Sequence, residues 1–315
     1  MKSVYCIGEL LIDFVAEKQG SDLSKAKDFT KKAGGAPANV AAAIAKLKGN
    51  SYFIGCVGKD PFGSFLLNIL EKDLVNTDLI QRTATFTTLA FVSLAEDGER
   101  DFVFSRGADK ELSYDRSLKE RFKNQIVHFG AATALLGGNL EDAYSRYYRD
   151  ALASNSFICF DPNFRIDLWK GKEADFIKKC LPFIAESHLG KFSLEEAQLI
   201  SGKSDLREAC SYLHALGIKI LTVTLGSEGT YLSTPTVKKI IPSITIKPVD
   251  TTGAGDAFIG CLLRQIAEMD DLESLYGSNG PLEKMVLLAN KAGAITTTGY
   301  GAIESLPDQD RLDRA

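Results

Sequence analysis

From residue 125 onward, short apolar runs alternate with longer stretches of helical periodicity. Ile126–Gly130, Phe157–Asp161, Leu189–Phe192 and Lys219–Leu225 read as strands, with helices between them. Strands joined through helical crossovers run parallel, and the helices then cover both faces of the sheet. The expected fold class is therefore α/β, a mostly parallel central sheet with helices on both faces. Sites in such sheets form outside the carboxyl ends of the strands. A chain of 315 residues, 45% hydrophobic and 25% charged, is long enough to build this as one domain spanning residues 1–315.

The first third is less regular. Residues 3–8 and 51–57 read as buried strands, and an alanine-rich helix runs to Leu47 with Pro37 at its first position. Gly58-Lys59-Asp60-Pro61-Phe62-Gly63 turns into a helix over Ser64–Leu74. Thr88–Ala95 and Glu99–Ser105 form a hairpin around Glu96-Asp97-Gly98. Arg100, Phe102, Phe104 and Arg106 share one face of the second strand, which suits a sheet that covers something. Segments near residues 14–32 and 83–110 are expected to form a small β-sheet lid inserted into the α/β domain.

Chemistry enters at Asp250-Thr251-Thr252-Gly253-Ala254-Gly255-Asp256, which opens the apolar run Ala257–Leu263. A glycine turn feeding a buried helix presents unpaired N–H groups and a partial positive charge, a ready site for phosphate. Asp256 would sit in the first turn beside that anion. There it either takes a proton from a group attacking phosphate or merely complements the helix dipole. Two other nucleotide readings fail. Gly202-Lys203-Ser204 lacks a P-loop's first glycine, since Ala197 holds that position, and Gly202 reads better as a helix C-cap after Leu194–Ser201. Gly253-Ala254-Gly255 is no dinucleotide fingerprint, because Phe258 replaces the third glycine.

The net charge of −4, with no sustained Lys/Arg stripe, argues against nucleic acid as a partner. The six cysteines form no C-x-x-C pair and lie mostly in apolar runs, as buried small hydrophobes in a reducing compartment. Glu9 and Asp13 interrupt the N-terminal apolar stretch, and no run reaches membrane-spanning length. A cytoplasmic protein without a membrane partner is expected. His128 reads as a satisfied strand-end histidine, and no histidine has a metal-ligand partner at useful spacing.

Gly34-Gly35-Ala36-Pro37-Ala38-Asn39 leads into Gly55-Cys56-Val57-Gly58-Lys59-Asp60-Pro61-Phe62-Gly63, and the Asp250–Asp256 stretch follows late in the chain. In that order the two resemble the paired signatures of the ribokinase-like (PfkB-type) carbohydrate kinases. Gly8-Glu9-Leu10-Leu11-Ile12-Asp13-Phe14, Gly98-Glu99-Arg100-Asp101-Phe102 and Asp161-Pro162-Asn163-Phe164-Arg165 resemble fructokinases most, although 2-keto-3-deoxygluconate kinases share several of these pieces. Lys48 and Cys261 depart from the signatures, away from the reacting atoms.

The resemblance implies that Asp256 is the catalytic base, with the N–H groups of Gly253, Ala254, Gly255 and Asp256 as the anion hole. It places Asp13, Gly34, Gly35 and Asn39 on the sugar. The plain alternatives are a loop cap for Asp13 and a turn for the glycines. Arg106, Asn163 and Arg165 are further substrate-side residues, against the ordinary alternative of surface arginine. Lys191, Ser193, Glu196, Thr224, Gly226, Gly229 and Asn290 fall on the nucleotide side. Glu196 would hold magnesium through water, and Ser193 with Glu196 is also a helix capping box. Asp250, Thr252, Thr296, Gly299, Gly301 and Ser305 would hold potassium, although Gly299-Tyr300-Gly301 is also a common turn. The expected activity is ATP-dependent phosphorylation of a sugar, D-fructose before 2-keto-3-deoxygluconate, and a catalytically silent relative ranks last. ATP, Mg2+ and K+ are the expected cofactors, and a homodimer through the lid is the expected assembly.

Overall fold

The structure is a computed structural model that describes all residues except 18, 19, 21, 95–99, 278–280 and 315. The expected hairpin turn at Glu96-Asp97-Gly98 lies outside the described residues. Strands β1 (Val4–Ile7), β2 (Leu11–Ala16) and β3 (Phe29–Gly34) precede helix α1 (Ala36–Lys46). Strands β4 (Ser51–Ile54) and β5 (Cys56–Gly58) lead to α2 (Pro61–Lys72), followed by β6 (Gln81–Thr83), β7 (Leu89–Leu94) and β8 (Arg100–Ser105). Then come β9 (Ile126–Gly130), α3 (Gly138–Ala153), β10 (Phe157–Asp161), the short α4 (Ile166–Trp169) and α5 (Glu173–Glu186). Next are β11 (Leu189–Ser193), α6 (Leu194–Ser201), α7 (Leu206–Leu216), β12 (Ile220–Thr224), β13 (Thr230–Ser233) and β14 (Lys238–Ile241). Helices α8 (Ala254–Ala267), α9 (Leu282–Thr296), α10 (Ala302–Ser305) and α11 (Gln309–Arg314) close the chain.

Among the described residues, eight strands form the large sheet in the order β14-β13-β12-β11-β10-β9-β1-β4. Pairing is parallel from β12 to β4, while β13 and β14 add an antiparallel edge that the βα pattern did not foretell. Its outer strand carries exposed Lys238 and Lys239, charges that discourage edge-to-edge pairing. Strands β1, β9 and β10 are buried along their whole length, and apolar clusters lie on both faces. The sheet grows from β1 to β4 on one side and from β1 through β9 to β12 on the other. Its switch point, where ligand crevices form, lies at the carboxyl end of β1.

A smaller sheet has the order β3-β2-β7-β8. It is wider than the expected lid, starting at Leu11 and ending at Gly34 instead of running from about 14 to 32. Helix α2 begins at Pro61, earlier than Ser64, because the Asp60 carboxylate accepts N–H bonds from Phe62 and Gly63 at 2.9 Å each. Gly202 ends α6 in the left-handed conformation, φ 67°. Small residues let α1 lie close against α8: a Cβ on Gly260 would sit 2.5 Å from the Ala43 Cβ. No helix among the described residues is long and apolar enough to cross a membrane.

Candidate active site

The first turns of α1 and α8 face one another across a charged cavity of about 510 Å³. Gly253 caps α8 in the left-handed region, φ 79°, and a Cβ there would collide with Ala302 at 2.7 Å. No side chain caps this helix. Gly253, Gly255 and Asp256 line the charged cavity, whereas Ala254 lines its neighbour and bonds the Thr251 carbonyl at 3.3 Å. Asp256 is buried, 7% exposed, and accepts a hydrogen bond from Asn39 Nδ2 at 2.8 Å on Oδ2. Burial pushes its carboxyl above the usual range, while Asn39, Lys191 and Arg165 pull it down and Glu196 adds to the rise. Asn39 was expected to aim its amide at the sugar. Here that amide is engaged by Asp256, and its Oδ1 is the buried atom without a protein partner. Pro37 takes the second helical position, one later than expected, because Gly35 is the cap.

Asp13 lines the cavity from β2, where it pairs with Lys32, and its carboxylate lies over Gly34. A Cβ on Gly34 would lie 2.1 Å from Asp13 Oδ2, and one on Gly35, at φ 107°, 2.4 Å from the Glu9 carbonyl. The glycine pair therefore makes room for two acidic residues. One of them, Glu9, was read only as an interruption of an apolar run. It is 1% exposed, lines the cavity, and accepts the Ala36 N–H at 3.1 Å and the Thr133 hydroxyl at 3.5 Å. Burial, with Asp109 nearby and Arg165 opposing, pushes its carboxyl up to about 7. Phe102 and Phe104, near-parallel with centroids 6.0 Å apart, roof the same cavity from β8.

The carboxyl ends of β10 and β11 supply Asn163, Arg165, Lys191, Ser193 and Glu196. Asn163 adopts φ 48° and donates to the Asp161 carbonyl at 3.3 Å, and Arg165 Nη1 donates to the Phe164 carbonyl at 3.0 Å. Lys191, Ser193 and Glu196, expected on the nucleotide side, line the charged cavity from the end of β11 and the start of α6. The capping box is complete: Ser193 Oγ accepts the Glu196 N–H at 3.1 Å and Glu196 Oε2 the Ser193 N–H at 2.7 Å. Glu196 Oε1 also accepts the Phe164 N–H at 2.8 Å. Arg106 departs from expectation. Its guanidinium clasps buried Asp109 at 2.9 and 3.1 Å, and Thr88 bonds the other Asp109 oxygen, so the arginine braces the small sheet. His128 is also not the satisfied residue expected: both ring nitrogens are buried without a partner, and burial pulls its pKa to about 3.

Beside α8 lies a second cavity of about 330 Å³, lined by Thr224, Gly226, Gly229, Ile244, Ile246, Phe258 and Asn290 among others. It shares Thr224, Thr251 and Gly255 with the charged cavity, so the two meet at the first turn of α8. Asn290 contributes wall, not open donors. Its amide accepts from Thr230 at 2.6 Å and donates to the Ile241 and Pro242 carbonyls at 2.8 and 3.1 Å.

Asp250 ties two loops together. Oδ1 accepts the Thr252 N–H at 2.9 Å and its hydroxyl at 2.6 Å, and Oδ2 accepts the Gly301 N–H at 3.0 Å. Gly299 is held against Ser305, where a Cβ would lie 2.6 Å from the Ser305 hydroxyl. The Thr296 hydroxyl turns back onto the Ala292 carbonyl at 2.9 Å within α9. Among the described residues, no group of three His, Cys, Asp or Glu side chains could hold a metal.

The pfkB family carbohydrate kinase model matches residues 1–309. The chain belongs to the pfkB carbohydrate kinase family. Like other pfkB kinases it is an ATP-dependent carbohydrate kinase. Fructokinase-2 of Zea mays is 37% identical over 323 residues, covering 96% of this chain and 91% of the relative. A Xylella fastidiosa fructokinase with bound ATP superposes with a TM-score of 0.86 at 29% identity, covering 99% of this chain and 97% of that one. A fructokinase double mutant from Vibrio cholerae O395, with fructose, ADP and a potassium ion bound, gives a TM-score of 0.85 at 28% identity, covering 100% and 98%.

Proposed function

We propose that this kinase is a fructokinase, converting D-fructose and ATP to D-fructose 6-phosphate and ADP. The observation that carries the reading is the buried Asp256 carboxylate, held by Asn39 at the open N-terminus of α8 in a cavity that Asp13 also lines. Carboxylates suit a neutral polyol, because each accepts from two hydroxyls. They disfavour an acidic sugar: Glu9, Asp13, Glu195, Glu196 and Asp256 face the cavity against Arg165 and Lys191. Arg165 is the feature that would favour 2-keto-3-deoxygluconate, as a partner for its carboxylate.

In this mechanism Asp13 and the Asn39 Oδ1 orient the sugar, with the Gly34-Gly35 backbone close behind. The terminal hydroxyl oxygen attacks the γ-phosphorus as the bond from that phosphorus to the ADP oxygen breaks. Asp256 takes the hydroxyl proton, a contribution of about 10²–10⁴ in rate. The Gly253, Gly255 and Asp256 N–H groups face the oxygens of the phosphoryl group in transit. Thr224, Gly226 and Gly229 line the groove that would take the nucleotide. Magnesium would arrive with the phosphates, since it favours few carboxylates, and Glu196 is the acid that would organise it through water. Potassium would rest on carbonyl oxygens of the loops that Asp250 joins, stiffening the anion hole. Pairing of two copies through the small sheet belongs to the same proposal.

The test is an ADP-release assay across fructose, 2-keto-3-deoxygluconate, ribose and adenosine. Fructose is expected to give the highest kcat/KM. A preference for 2-keto-3-deoxygluconate would transfer the reading to its kinase, and silence with all four would favour a non-catalytic relative. Equal rates in potassium and in a tetraalkylammonium salt would remove the potassium site. A monomer in sedimentation at working concentration would remove the pairing.

A further inference from the structure

Lys191 stands in an unusual place for an ammonium group. It is 6% exposed on β11, and its Nζ lies 3.2 Å from Oδ2 and 3.3 Å from Oδ1 of Asp161, the fully buried last residue of the adjacent β10. A buried ion pair is rarely more stable than apolar residues of the same volume, so stability alone does not account for one. Its position does. A Cβ built on Gly255 would lie 3.0 Å from Lys191 Nζ and 3.3 Å from Cε. The ammonium therefore lies over the second residue of α8, beside the N–H groups that open the helix. A side chain at the second glycine of the turn would press on the cation and make it shift.

We propose that Lys191 is a catalytic residue that carries the negative charge of the phosphoryl group in transit, and that Asp161 positions it. The inference rests on the kinase reading but not on fructose as the acceptor. An ammonium has three N–H donors, and among the described residues Asp161 is its hydrogen-bond partner, which leaves a donor for a phosphoryl oxygen. Charge in a loose phosphoryl-transfer state spreads over three equatorial oxygens, and a compact point charge beside a helix N-terminus meets it without reorganising. No bond to nitrogen forms, and the proton of the acceptor still goes to Asp256. The other cation lining this cavity, Arg165, turns Nη1 to the Phe164 carbonyl. Glu196 from α6, Asp256 from α8 and neutral His128 from β9 complete the titratable surroundings of Lys191. Burial works against its charge, but the three carboxylates outweigh it and hold the ammonium protonated. Burial pushes Asp161 the opposite way, toward the neutral acid. The contact to both Asp161 oxygens decides for the ionised pair.

The decisive experiment measures binding of ADP with Mg2+, alone and with aluminium fluoride as a phosphoryl mimic, by calorimetry, alongside turnover. Lys191→Gln is expected to lose most of the tightening that aluminium fluoride brings, with ADP alone little changed. Its kcat should fall by about 10²–10³, the usual effect of removing one anion-hole donor, with the sugar KM nearly unchanged. Asp161→Asn should add an alkaline fall to the pH profile of kcat, because the ammonium loses its closest carboxylate. If Lys191→Gln fails to fold, Asp161→Asn combined with Lys191→Gln leaves no unpaired buried charge and should show the same loss. Undiminished tightening and kcat in either variant overturns the proposal. Equal weakening of ADP with and without aluminium fluoride overturns it too, by making Lys191 a nucleotide anchor. A wild type that binds ADP–aluminium fluoride through Lys191 but ignores fructose refutes only the choice of acceptor.

Discussion

The two cavities that meet at the first turn of α8 are built from different materials. The charged one gathers the carboxyl ends of five neighbouring parallel strands, β1 and β9 to β12, together with the first turns of α1 and α8. The other sits by the antiparallel edge and the segment 243–248, and no charged side chain is among its lining residues. Buried acids crowd the first, and burial raises Glu9, Asp161 and Asp256 together. In the second, even the polar Asn290 is turned into the wall. On the proposed reading, charge is concentrated where a bond would change hands, and shape with backbone groups suffices where a ligand would only be gripped. Substitutions in the first should therefore move kcat and its pH dependence, and those in the second should move the KM for ATP.

Asp256→Asn is the largest expected effect and would break the contrast outright if it failed. The variant should fold normally and lose about 10²–10⁴ in kcat, with the KM for ATP nearly unchanged in steady-state assays. Glu9 comes next, through stability. Its folded pKa of about 7 exceeds the unfolded 4.5, so the folded state binds more protons between those values. The stabilisation is complete below 4.5 and is lost as pH rises through 7, a swing of about 3 kcal/mol. Urea titrations should show that decline, and Glu9→Gln should flatten it; an equal slope in the variant assigns the titration elsewhere. Asn290→Ala should cost about 2 kcal/mol, by leaving the buried Ile241 carbonyl and the buried Thr230 hydroxyl short of a partner, and should raise the KM for ATP. A displaced pH profile in that variant would blur the division between the cavities. Smallest is Asn39→Ala, about tenfold in kcat for one hydrogen bond to a charged group. That bond favours ionised Asp256, so its removal should shift the acid limb of the kcat profile to higher pH; an unmoved limb would detach Asn39 from the base.

Which of these parts could be read in advance follows from how local their causes are. The α8 turn could, because two glycines and an acid before an apolar run have a meaning within a few residues. The parallel strands could too, since each is a short, mostly apolar run between helical stretches. Glu9 could not: a charge in an apolar run looks like an interruption until the N-terminus of α1 arrives to bond it. Arg106 was set on the substrate side because nothing in the sequence marks Asp109, three residues on, as a buried partner that claims its guanidinium. The β13–β14 edge escaped because Lys238-Lys239-Ile240-Ile241 has neither alternation nor a continuous apolar run. That Lys191 pairs with Asp161 was not legible either, because the two meet only when β10 and β11 lie side by side.

Gly35 is a single-residue joint: β3 ends at Gly34, α1 begins at Ala36, and Asn39 in its first turn reaches Asp256. The small sheet and Asp256 are thus connected like a handle and a latch, with one residue as the pin. An engineer who exchanges this sheet for that of a relative, to change the accepted sugar, must keep the pin at its present length. One added residue would slide α1 along α8 and pull Asn39 off the acid, leaving a protein that still recognises its sugar with its latch out of reach.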